Sequence, residues 1–285
     1  MIANNRLALN LVTLKGEHDA RHLLQKLKAA SKAGFRGVGL WTTDTQAWVE
    51  SGKRLGELHH AVADQGMQVV ELCEVMICDE RGRVADRTRE FAAAEALGAP
   101  VVAAVYNNPT APLDQVKKDW MKFLELLSDV ERVRAALHFK GDVPNLGTLD
   151  QAWDVVSEGP RNGCVLLDVY DFWRGQSPPS SLNAVPAEWI GMVHLADVKN
   201  VPREKAQSHD RTLPGEGIMP LTHIVSNITR HGYMGMFSVE VVGDCQRQDC
   251  FKVAEDAFRV ARRLLGTSGS SHRKQPSLLP KESYL

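Results

Sequence analysis

Four side chains that can exchange protons or bind cations each stand at the end of a short apolar run. They are His138 in AALHF, Asp168 in VLLDV, His194 in MVHLA and Glu240 in FSVEV. Apolar neighbours on both sides direct the polar side chains to the opposite face of each run. A buried carboxylate or imidazole is costly unless something satisfies it. Four of them aimed at one place repel or desolvate one another. A divalent cation resolves that conflict directly, and carboxylates mixed with imidazoles suit Zn, Mn, Co or Fe better than Ca. The competing arrangement is a hydrogen-bonded polar plug without an ion. As chemical groups, Glu240 is the candidate base, and His138 and Asp171 are candidate acids.

Other residues accompany these four. Asp171, Trp173 and Arg174 follow Asp168 in DVYDFWRG, and Asp197 and Lys199 follow His194 in HLADVKN. Arg211 and Glu216 lie in the Gly/Pro segment DRTLPGEG. An aromatic wall with Arg and Lys donors suits a polyhydroxylated or carboxylated small molecule. Arg211 has the fork geometry to grip a carboxylate or phosphate. Trp173 is either part of that wall or a packing residue at the rim, and Lys199 is either a donor or a solvated charge. Asn10 points inward from the first strand, as a substrate contact or a structural group. Glu71 and Glu74, at the end of the third strand, read as groups that support the site from behind or as salt-bridge partners, and His59 and His60 read as surface residues on a helix.

Those residues need a scaffold that brings several chain segments to one end. Strand-like runs are predicted at 7–12, 35–41, 68–75, 101–106, 133–139, 164–169, 191–196 and 236–242. Helical periodicity is predicted at 20–33, 53–65, 83–97, 113–127, 148–157, 186–189, 220–231 and 251–265. Gly34, Gly66, Gly98 and Gly232 mark helix ends that lead into strands. Near-continuous apolar strands alternating with helices describe a parallel sheet covered on both faces. Eight such units predict a single (β/α)8 TIM barrel, in which chemistry sits at the carboxyl ends of the strands. A doubly wound sheet would carry GxGxxG after its first strand, and this chain does not. The barrel is assigned to residues 1–265, with 266–285 a flexible tail or oligomer arm rich in Ser, Pro and Lys.

Length and composition agree with that reading. The 285 residues are 44% hydrophobic and 24% charged, with a net charge of −1. That balance offers no surplus of Lys and Arg for nucleic acid. No segment has the length of a membrane span. The five cysteines, an odd number without CxxC spacing, read as reduced thiols in a cytoplasmic protein, Cys164 lying within a strand. The expected partner is a small molecule.

Taken in order, RLALNLVTLK, AGFRGVGLW, LLDVYDFWRG, MVHLADV, DRTLPGEGIMPL and GYMGMFSVEVV resemble the sugar phosphate isomerase/epimerase superfamily of xylose isomerase-like barrels, over residues 6 to about 265. The resemblance implies one divalent ion (Mn, Zn, Co, Fe or Mg) and a sugar or polyol ketone as substrate. It also implies isomerase or epimerase chemistry through an enediolate, with a homodimer as one common assembly. Asp168, His194 and Glu240 match the family's second, third and fourth ligands, and Arg211 its PGEG-loop arginine. His138 stands where the family has the first ligand, a Glu, and Asp171 where it often has His. With one Glu of the usual pair gone, a two-base epimerisation is disfavoured. A one-base enolisation fits, as does a dehydratase or lyase reaction on a keto-polyol or dehydroshikimate-like substrate. A ligand-binding barrel without catalysis is the remaining alternative.

Overall fold

A computed structural model describes residues 4–128 and 130–268. β1 (Leu7–Asn10) leads through α1 (Ala20–Ala33) to β2 (Gly37–Trp41), α2 (Thr42–Glu50), α3 (Leu55–Asp64) and β3 (Gln68–Met76). α4 (Thr88–Leu97), β4 (Val101–Val105), α5 (Leu113–Glu125), β5 (Arg134–His138), α6 (Leu149–Ser157) and β6 (Gly163–Asp168) follow. The last part contains α7 (Val169–Arg174), α8 (Ser181–Ala184), β7 (Ile190–Leu195), β8 (Asp197–Val198), β9 (Arg211–Thr212), α9 (Leu221–Arg230), β10 (Phe237–Val239) and α10 (Cys250–Ser268). Strands β1 to β7 and β10 close a parallel barrel in the order β1-β10-β7-β6-β5-β4-β3-β2. The predicted (β/α)8 barrel is the fold of this chain.

The strands are apolar because both faces are covered. All six residues of β6 are buried. Outward-facing strand residues pack on the amphipathic helices; on α5, for example, Val116, Trp120, Phe123 and Leu124 are buried. A separate, smaller cluster fills the barrel interior: Ala8, Val70, Cys73, Val101, Ala103, Ala136, Cys164, Leu166 and Met192. Alternation along each strand then places Asn10, His138, Asp168 and His194 on the same inner face, one level nearer the carboxyl ends. Thr148 caps α6 as expected, its hydroxyl accepting from Gln151 N at 3.2 Å. Gly34 ends α1 at φ 108°, in the left-handed region that favours glycine.

Some elements differ from the sequence prediction. α4 begins at Thr88 rather than at residue 83. Asp79 accepts from the amides of Arg81 and Arg83 and closes a turn there instead. α2, α7 and the β8–β9 hairpin are additional, and the first and last of these are short insertions between predicted elements. α10 runs on to Ser268; the expected tail lies outside the described residues from 269 on. All five cysteines are free and buried. Among the described residues, no helix is long and apolar enough to cross a membrane.

Leu166 is fully buried inside the barrel, directly beneath the polar level. Leu166→Ala is expected to destabilise the fold by about 2–5 kcal/mol through lost burial and a residual cavity. Chemical denaturation checks this as a lower midpoint with an unchanged slope.

Candidate active site at the carboxyl ends of the strands

Asp168 ends β6 and also caps α7. Its Oδ1 accepts from the amides of Tyr170 at 2.8 Å and Asp171 at 3.2 Å. One carboxylate oxygen is thereby fixed on the helix start, and Oδ2 is left facing the barrel axis. In register beside it on β7 is His194, and beside His194 on β10 is Ser238. Glu240 follows two residues after Ser238, back on the inner face. Asp168, His194 and Glu240 each offer a ligand atom within 4.8 Å of the other two, and all three are buried. His138, Asp168 and Asp171 form a second such group, sharing Asp168.

Arg211 joins the two groups. Its Nη1 donates to Asp168 Oδ2 at 2.7 Å and to Glu240 Oε2 at 3.3 Å, and its Nη2 to Asp171 Oδ2 at 3.2 Å. The guanidinium carbon lies 4.3 Å from the centre of the Tyr170 ring. The β8–β9 hairpin delivers Arg211, and Asp197 holds the segment that follows. Asp197 Oδ1 accepts from Val198 N and Met219 N, and Oδ2 from Gly215 N. A Cβ on Gly217 would meet Val198 O at 2.1 Å, so the PGEG segment needs glycine there to lie this close.

His138 approaches from β5. Its Nε2 lies 3.1 Å from Asp171 Oδ2 and 3.5 Å from Asp168 Oδ2. Its Nδ1 is buried without a hydrogen-bond partner among the described residues. Asp171 is fixed from its other side, Oδ1 accepting from Gly141 N at 2.9 Å. His194 Nδ1 is likewise without a hydrogen-bond partner, although Glu240 Oε2 lies 3.2 Å away. His194 Nε2 meets Glu71 Oε2 at 2.6 Å.

These contacts set the protonation. Burial pushes the Asp168 carboxyl up, but Arg211 and His138 outweigh it and hold the group well below the ordinary range. Burial likewise opposes ionisation of Glu240, yet His194 and Arg211 bring it down to about 2. For His194, burial disfavours the charge, and Glu71 and Glu240 overcome it, raising the imidazole well above its usual value. Burial and Lys140 pull His138 down, and Asp168 and Asp171 reverse this, leaving it raised.

The donor set fits a divalent cation. Two buried carboxylates and a partnerless imidazole nitrogen converge, and the charge now meeting those carboxylates is a guanidinium. Glu71, Cys73 and His194 form a third buried group that shares His194, and a fourth, Glu17, Asp19 and His22, is partly exposed. There Asp19 caps α1 and bonds His22, which accounts for it structurally.

The structure thus brings together Asp168, His194, Glu240, His138, Asp171 and Arg211. It places other candidates elsewhere. Lys199 pairs with Asp244 at 2.7 Å on the rim. Trp173 is buried, with the Arg203 guanidinium 5.0 Å from its ring centre. Asn10 is buried and engaged, its Oδ1 accepting from Trp41 Nε1 and Val12 N. Glu74 bonds Lys140 at 2.8 Å. Of the two readings open for Glu71, a supporting group or a salt-bridge partner, the structure shows a contact with His194 Nε2 at 2.6 Å.

Comparison with known proteins agrees with this fold. The family model described as xylose isomerase-like TIM barrel matches residues 27–264. The chain belongs to that family. An inosose isomerase of Halalkalibacterium halodurans is 25% identical over 255 residues, covering 85% of this chain and 89% of the relative. A 3-dehydroshikimate dehydratase of Pseudomonas putida is 25% identical over 78% of this chain, which spans 36% of that longer protein. Among solved structures, the IOLI protein with a bound zinc atom superposes with a TM-score of 0.81 at 18% identity, over 93% of this chain and 99% of that one. An L-ribulose 3-epimerase superposes at 0.75 and 19% identity, over 95% and 99%. At these identities the superpositions establish the shared barrel.

Two predictions follow the charges. A depressed carboxylate stabilises the fold above its unfolded-state value and loses that contribution as pH falls through the folded value. For Glu240 the loss runs from its ordinary 4.5 down to about 2. A raised histidine contributes fully below 6.5 and loses that contribution as pH climbs through the folded value. Metal-free protein should therefore be most stable between about pH 4.5 and 6.5, with denaturation midpoints falling on both sides; a flat acid limb would contradict this. Arg211→Met leaves three buried carboxylates without their shared cation and should cost about 3–5 kcal/mol by the same denaturation assay.

Proposed function

We propose that this chain is a divalent-metal-dependent enzyme of the isomerase/epimerase type, acting on a sugar or polyol that carries a ketone beside a hydroxylated carbon. The observation that carries this reading is the buried convergence of Asp168, His194 and Glu240 at the barrel mouth. Those three would hold the ion, and His138, held by Asp171 through Nε2, stands beside them where a fourth ligand would be. The names of the isomerase and epimerase relatives support the substrate class.

When bound, the ion would draw electron density from the substrate carbonyl and make the neighbouring C–H acidic. Glu240, ionised across the working pH range, is the group that takes that proton. His138 is suited to manage the second proton. Asp171 engages its Nε2, leaving Nδ1 as the nitrogen that can exchange with substrate. This pairing of carboxylate and imidazole stands in for the Glu of a two-carboxylate site. Arg211, released from part of its present contacts, has donors for substrate oxygens.

A second reading, elimination of water from a keto-polyol, draws on the same proton abstraction. The His138–Asp171 pair favours it, because a histidine held by a carboxylate can protonate a departing hydroxyl. The dehydratase relative supports it as well.

Incubation with cyclic and acyclic keto-polyols in deuterium oxide, with Zn, Mn or Co supplied, separates these outcomes. Isomerisation gives deuterium at the carbon next to the carbonyl with the skeleton's water content retained, and elimination gives loss of water. Chelation should abolish either signal and metal should restore it. Glu240→Gln should lower the exchange rate by about 10²–10⁴-fold, the usual contribution of a positioned base. Absence of exchange with every metal and ketone would overturn the enzymatic reading.

A further inference from the structure

Glu71 lies on β3, fully buried, and touches elements from across the barrel. Its Oε2 sits 2.6 Å from His194 Nε2 on β7. Its Oε1 accepts from Ser238 Oγ on β10 at 2.7 Å and from Asn10 Nδ2 on β1 at 3.4 Å. Strict alternation would turn Glu71 away from the axis. It turns inward because the β2–β3 register slips between Val38 and Gly39, so that Val70 is an extra residue in β3. Val70 and Glu71 then both face the interior. The opposing residue on β2 is Gly39, and a Cβ there would meet Glu71 Oε1 at 2.4 Å and Cγ at 2.9 Å. A bulge, a glycine and two donors thus converge on one carboxylate in the driest part of the molecule.

Such an arrangement needs a reason, because a buried carboxylate is costly. Stability alone would be served as well by an apolar residue. The direction of the contact supplies the reason. An imidazole binds a metal through one nitrogen and must keep its proton on the other, and a carboxylate on that other nitrogen fixes both tautomer and ring plane. Glu71 occupies the Nε2 side of His194, while Nδ1 faces Glu240 without a hydrogen-bond partner. Oε1 is taken by Ser238 and Asn10 and Oε2 by His194 Nε2, so Glu71 braces the imidazole from the side away from Glu240.

We propose that Glu71 is the positioning residue of the metal centre, holding the proton of His194 on Nε2 so that Nδ1 is the donor to the ion. This rests on the reading that Asp168, His194 and Glu240 hold a metal. Gly39 and Ser238 serve the same end, by leaving room for the carboxylate and fixing its rotation.

Zinc affinity measured by competition with a chromophoric chelator tests this on Glu71→Gln, which preserves shape but offers an amide that can donate to Nε2 and so favour the wrong tautomer. The expected result is a zinc affinity about 10–100-fold weaker than wild type, with long-range ¹⁵N spectra of the zinc-loaded wild type placing the His194 proton on Nε2. If Glu71→Gln does not fold, Ser238→Ala carries the test, since it frees one carboxylate oxygen and leaves the charge in place; a several-fold loss is expected. Wild-type binding with affinity unchanged within twofold in the folded variant overturns the role of Glu71 alone. The same holds for a proton found on Nδ1. A wild type that binds no zinc overturns the metal reading itself, and the role of Glu71 with it.

Discussion

Everything at the mouth of this barrel follows from holding several charges in a place water barely reaches. Asp168 is the pivot. One oxygen is fixed by the first amides of α7, and the other is left to meet whatever cation is present. One such cation is Arg211, shared with Asp171 and Glu240. A buried pair of this kind gives little net stability against an apolar substitute, yet it is expensive to break. The cluster is better understood as a charged socket than as a brace for the fold. The barrel carries that cost elsewhere, in the outer apolar layer between strands and helices.

The socket has two halves that meet at Asp168. Toward β7 and β10, His194 and Glu240 complete the candidate ligand set, with Glu71 behind. Toward β5, His138 and Asp171 form a pair whose Nδ1 has no hydrogen-bond partner among the described residues and lies 3.9 Å from Glu74 Oε1. That division bears on the replacement of the expected Glu by His138. A carboxylate there could bind a cation and take a proton on its two oxygens. An imidazole whose Nε2 is engaged has one nitrogen left, and must do one or the other. The contact with Asp171 suits the proton transfer proposed for it. The site is asymmetric, with the Glu240 carboxylate on one side and an imidazole on the other.

Much of this was legible in the sequence, for a definite reason. Asp168, His138, His194 and Glu240 end apolar runs, each two residues beyond an inward-facing residue, and the one register slip there, at Gly191 in β7, lies before that count begins, so their facing could be counted out. Arg211 was marked by its Gly/Pro setting and by resemblance, although its hairpin was not. α7 escaped because a helix of six residues has too little periodicity to register, and with it went the capping role of Asp168. Glu71 was open to two readings because its facing depends on the end from which β3 is counted: a bulge lets both Val70 and Glu71 face inward. Gly39, opposite the bulge on β2, is the trace of it in the sequence. Lys199 and Trp173 were plausible by type, but their partners, Asp244 and Arg203, are set by loop paths that local pattern does not encode.

The central claim is that the socket is a metal centre in which a divalent ion takes over the charge now supplied by Arg211. The most direct measurement is an anomalous difference map from crystals grown with zinc, collected on both sides of the zinc absorption edge. The account predicts one strong peak between Asp168 Oδ2, His194 Nδ1 and Glu240, with the Arg211 guanidinium turned away from at least one of its carboxylates. An absent peak, with Arg211 still bonded to both Asp168 and Glu240, would contradict it.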